Sequence, residues 1–138
     1  MPDIIEREAE RFLAANENRA LKTGGVALCI GLTANDVVAL GDDLDTGNMQ
    51  CHAVPYDMLD EILLDRLRPA RVITPLFGDG YDAVDVAEDL SLYGYGGQLI
   101  GISPRLPNPQ IIEREMREYA FAMNFELVMY DEKVLLQA

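Results

Sequence analysis

Apolar positions along this chain follow two alternating patterns. Continuous apolar runs at VALCIGL (26–32), MQCHAV (49–54), RVITPLF (71–77), QLIGIS (98–103) and FELVMY (125–130) are short and partly β-branched. Gly, Pro, Asn or Thr bounds them, and the combination predicts buried strands. Between the runs, apolar residues recur at intervals of three and four, the period of a helix with one buried face.

Each inter-strand segment carries its own start and stop chemistry. Thr33 stands three residues before Asp36, a capping-box signal for a helix carrying Val37, Val38, Leu40 and Leu44 that Gly47 stops. Gly41 inside that helix weakens it by about 1 kcal/mol. Residues 55–69 predict a helix with Met58, Leu59, Ile62, Leu63 and Leu67 on its buried side, ended by Pro69. Residues 81–93 predict another, carrying Val84, Ala87, Leu90 and Leu92 and closed by GYGG (94–97). Asn108 as cap and Pro109 at the first position predict a helix whose apolar stripe is Ile112, Met116, Tyr119, Ala120 and Met123. A leading helix over 2–20 has Ile5, Ala9, Phe12 and Leu13 on one stripe.

Short apolar strands alternating with amphipathic helices predict an α/β fold, a parallel sheet covered on both faces. No linker, repeat or low-complexity segment divides the chain, so one domain is expected: an N-terminal helix over 1–22 and an α/β core over 25–130.

Composition narrows the partners. The 138 residues include 24 acids against 11 bases, a net charge of −13. Nucleic acid and anionic membranes would repel such a surface, so neither is an expected partner, whereas a basic protein suits it. No apolar run approaches the roughly 18–20 residues of a membrane span. The N-terminus is acidic from Asp3 onward, unlike a secretory signal, so a cytoplasmic location is expected. Cys29 and Cys51 are too few and too far apart for a metal knuckle or a redox pair. His52, the single histidine, follows Cys51 within a strand, where neighbours point to opposite faces. No metal and no cofactor is expected.

Two stretches carry a family resemblance. RPARVITPLFGDGYDAVDV (68–86) and YGYGGQLIGIS (93–103) resemble the third- and fourth-strand regions of receiver domains of two-component signalling. The resemblance spans about residues 25–130. It implies a doubly wound, flavodoxin-like sheet of strand order 2-1-3-4-5. It also implies where the chemistry of the family would lie, and most of that chemistry is missing. The first strand ends in Gly31, Leu32 and Thr33, where the family holds magnesium with an acid pair. Asp42, Asp43 and Asp45 fall in the following helix instead. The phosphate-accepting aspartate maps to Pro75, which has no nucleophile, and the adjacent Thr74 points to the other face. Ser103 matches the family's hydroxyl at the end of the fourth strand. Lys133 lies three residues beyond Tyr130, too late for the conserved lysine of the fifth strand, and the family's last helix has no counterpart. The chain therefore resembles a pseudo-receiver, a receiver-shaped domain without aspartyl-phosphate chemistry.

Two readings of function follow. The first is a non-catalytic regulatory domain that binds another protein through the loops after the third and fourth strands, with Phe77, Gly78, Asp79, Tyr81 and Arg105 to Pro107 as contact residues. The alternative is a small-molecule or anion site, nucleotide-like, at the carboxyl ends of the strands, formed by Thr33, Asn35, Pro75, Gly78, Ser103 and Arg105. No G-x-G-x-x-G and no Walker A sequence accompanies the latter. An enzyme would need an acid–base constellation; Asp79 and Asp82 come nearest, and their spacing at a helix start reads as capping. If the last helix is missing, the stripe on the N-terminal helix is expected to cover bare sheet near the fifth strand, in the same chain or as a homodimer.

Overall fold

The computed structural model of the protein describes residues 25–44, 46 and 48–131. The expected N-terminal helix with its dimer role, the Gly47 stop and Lys133 lie outside the described residues.

The apolar runs all become strands of one sheet. β1 is Val26–Ile30, β2 Gln50–Val54, β3 Arg71–Pro75, β4 Gln98–Pro104 and β5 Asn124–Tyr130. All four pairings are parallel and the order is β2-β1-β3-β4-β5, a flavodoxin-like arrangement. In a parallel sheet covered on both faces, central strands are apolar throughout, and β1 is buried at all of its positions.

Side-chain alternation divides the interior in two. Leu28, Ile30, Val72, Leu99 and Phe125 face one side, against Leu59, Leu64, Val86, Leu90 and Met116. Ala27, Cys29, Ile73, Ile100 and Ile102 face the other, against Val37, Leu40 and Leu44. Cys29 is fully buried and Cys51 half-buried on this second face, both as free thiols. Burial first, and the neighbouring Cys51 next, push the Cys29 thiol up to about 12.

The helices depart from the sequence pattern in informative ways. The Thr33 signal holds: Asp36 N–H donates to Thr33 Oγ1 at 3.1 Å and Thr33 N–H donates to Asp36 Oδ2 at 2.9 Å. The helix then breaks at Leu40, giving α1 (Ala34–Ala39) and α2 (Gly41–Leu44), with the interruption beside the glycine that weakened it. Val37, Leu40 and Leu44 are buried, but Val38 is exposed.

The helix expected over 55–69 is two elements. Tyr56–Met58 forms one 3₁₀ turn after Pro55, and α3 (Glu61–Leu67) starts anew. Asp60 is the reason: its carboxylate accepts from Leu63 N–H at 2.7 Å and fixes a fresh N-terminus there. The restart turns Leu64 inward and leaves Met58 and Ile62, both expected on the buried side, exposed.

α4 (Ala83–Leu92) begins in a second capping box, Asp82 with Asp85. Leu92, at its last turn, is exposed rather than buried, and Gly94 (φ 77°) makes the left-handed turn after the helix. α5 (Pro109–Tyr119) has Pro at its start as expected, but the Asn108 side chain accepts no capping hydrogen bond. Met116 and Ala120 are buried, while Tyr119 is 44% exposed. Among the described residues, no helix is long and apolar enough to cross a membrane.

Candidate functional site

In a parallel sheet all strands end on the same side, so the loops after them gather there. Gly31 follows β1, Pro55, Tyr56 and Asp57 follow β2, and Phe77, Gly78, Asp79 and Tyr81 follow β3, which ends in Pro75. These residues line an open cleft of about 490 Å³ at the carboxyl edge of the sheet.

Tyr81 dominates its floor. The loop that carries it is a tight return: Gly78 N–H donates to Tyr81 C=O at 2.9 Å, Phe77 pairs with Asp82 as an isolated bridge, and Gly80 has φ 81°. The fold back lays the phenol across the ends of β1 and β3. A Cβ on Gly31 would sit 1.8 Å from the Tyr81 hydroxyl, and one on Gly78 would sit 2.4 Å from the ring. Both glycines therefore exist here to admit that ring. Gly31 also has φ 69°, a left-handed conformation that side chains other than glycine resist.

Tyr56 completes the aromatic wall. Its ring stacks on Tyr81 with centroids 4.4 Å apart and planes 14° apart. Its hydroxyl donates to Asp89 Oδ2 at 2.5 Å, tying the turn after β2 to α4. That hydrogen bond, with burial second, holds the Tyr56 phenol well above its ordinary value. Burial likewise raises Tyr81, against a smaller opposing effect of the Thr74 hydroxyl. Both phenols are neutral donors over the physiological range.

Phe77 is different. It is 70% exposed at the rim, so it does not pack under its own loop. Asp57 and Asp79 are exposed beside it. Among the described residues, the cleft lining contains two carboxylates and no Lys, Arg or His. Among the described residues, no group of three or more His, Cys, Asp or Glu is placed to hold a metal ion.

The expected site residues divide. Pro75, Phe77, Gly78, Asp79 and Tyr81 meet in the cleft. Thr33 and Asn35 do not line it: Thr33 is committed to capping α1, and Asn35 is exposed on that helix. Ser103 is buried at the end of β4, where it pairs with Met129 in register, and it does not line the cleft. Arg105, in the following loop, is exposed outside the cleft. Asp82 caps α4. Thr74 is fully buried; its hydroxyl donates to Pro75 C=O at 3.2 Å and also acts on the Tyr81 phenol of the cleft floor. His52 lies in β2, away from the cleft, and burial lowers its affinity for a proton.

Sequence reasoning missed Pro55, Tyr56 and Asp57 because it placed them inside a helix. The available signal was Asp60, a helix-starting residue followed by the regular pattern of Glu61–Leu67. It would have released residues 55–59 as a strand-end loop.

No family model matches the sequence, and no curated protein matches it.

Proposed function

We propose that the chain is a non-catalytic, receiver-like regulatory domain of the cytoplasm that works by binding another protein at the carboxyl edge of its sheet. One observation carries this reading. The place where strand-end chemistry would occur is floored by Tyr81 and Pro75, neither a nucleophile nor a metal ligand set, while the exposed Phe77 ring stands at its rim. A closed aromatic floor beneath an exposed rim of one aromatic ring and two carboxylates suits surface recognition better than turnover.

Anion or nucleotide binding has less support. Phosphate recognition uses free backbone N–H groups and basic side chains. Here the cleft supplies carboxylates, and the Thr33–Asp36 box already engages the start of α1.

Thermal unfolding separates the readings. A ligand at 100 times its Kd stabilises by about 2.7 kcal/mol, a shift of several degrees for a domain of this size. Mg²⁺ with beryllofluoride, and a panel of nucleotides and inorganic anions, are each expected to leave the melting temperature unchanged. A reproducible rise with Mg²⁺ and beryllofluoride would restore a phosphorylation site, and a rise with one nucleotide would replace protein recognition by ligand binding.

A further inference from the structure

We infer that the cleft receives an arginine side chain presented by a protein partner, an inference that rests on the protein-recognition reading above and gives it a chemical identity. Three features converge on this occupant.

The first is charge. Asp57 and Asp79 face the cleft from two different loops, and among the described residues no basic side chain lines it. Arg117, on α5, is engaged with Glu113 of the same helix rather than with either carboxylate. The whole chain adds a net charge of −13, which steers a cationic group toward the cleft.

The second is the wall. The Phe77 ring is largely exposed, and Pro55, Pro75 and Tyr56 continue an apolar surface from it. Arginine matches that combination. Its aliphatic stem covers apolar surface, its flat guanidinium stacks on an aromatic face, and its fork of donors meets a carboxylate in two places. A compact ammonium would satisfy the acids but leave the ring unused.

The third is preorganisation. The Tyr56–Tyr81 stack, the Tyr56–Asp89 hydrogen bond and the Gly78–Tyr81 backbone bond fix the floor before any partner arrives. A guest then orders only itself, which lowers the entropic cost of binding. The surrounding carboxylates exclude the opposite class of guest, a phosphopeptide, by repulsion.

The test is selection of displayed short random peptides on the immobilised full chain, followed by affinity measurement on the enriched peptides. The expected result is enrichment of arginine, with the selected peptide weakened roughly tenfold or more by Arg→citrulline and clearly by Arg→Lys. Asp57→Asn, Asp79→Asn and Phe77→Ala in the protein should each weaken binding with an unchanged melting temperature, because all three side chains are exposed. Raising salt should weaken it further. Peptides that depend on Phe77 but carry no arginine would overturn this inference and leave the protein-recognition reading standing. Enrichment of phosphate-bearing or acidic peptides would also overturn it. Absence of any peptide whose binding depends on Phe77 would overturn both.

Discussion

Gly31 and Tyr81 show how a single backbone position decides what the edge of the sheet can do. A side chain at Gly31 meets two obstacles: a φ of 69°, and the Tyr81 hydroxyl 1.8 Å from where its Cβ would lie. Gly31→Ala is therefore expected to destabilise the fold by about 1–3 kcal/mol in urea unfolding, from the left-handed backbone and the displaced phenol together. Tyr81→Phe removes the hydroxyl and should recover part of that loss. The two substitutions are then non-additive in a double-mutant cycle, where contacting residues commonly couple by at least 0.5 kcal/mol. Strict additivity would mean that Tyr81 does not cover Gly31 in solution. The sequence made Pro75, Phe77, Gly78, Asp79 and Tyr81 legible as neighbours, because they share one loop. It did not reveal the Tyr56–Tyr81 stack, which joins two loops through space and leaves no periodic trace.

Elements were readable where one local signal acted alone. Thr33–Asp36 announced its capping box, and Gly94 its helix-ending turn. The pattern misled where two signals competed. Between Pro55 and Pro69, helical spacing of leucines overrode the stronger local preference of Asp60 to begin a helix. The α3 restart rests on the Asp60–Leu63 hydrogen bond. Asp60→Ala is expected to cost about 1 kcal/mol, and Asp60→Ser or Asp60→Asn much less, measured as urea midpoints. Equal losses for Ala and Asn would contradict capping as the role of this residue. Asn108 is the converse lesson: a favoured cap residue stands before α5, yet its side chain makes no capping bond. Residue identity at a helix start is permission, and backbone geometry decides its use.

Across the whole molecule, the apolar runs predicted a parallel sheet, and the strand order follows the order the receiver resemblance implied. Burial of acidic hydrogen-bond donors has a consequence at the same scale. Cys29 and Tyr95 are both pushed up to about 12, from 9.0 and 10.0, mainly by burial. Between those values the unfolded chain has released protons that the folded chain keeps. Stability from these groups is therefore complete below about pH 9 and is lost as pH rises toward 12. The urea midpoint should fall steadily over that window, and Tyr95→Phe with Cys29→Ala should flatten the slope. A midpoint independent of pH from 9 to 12 would show that the two groups are as accessible to deprotonation in the folded chain as in the unfolded one.

Docking of a partner at the cleft beside Phe77 underlies the proposed function. The most direct measurement is site-specific photocrosslinking in living cells, with the photoreactive residue at Phe77 or at Leu92. Both positions are exposed, but Leu92 ends α4 at the opposite edge of the sheet. A discrete covalent adduct is expected from position 77, lost when Asp57→Asn and Asp79→Asn are added, with none of the same mass from position 92. No adduct from position 77, or the same adducts from both positions, would contradict it.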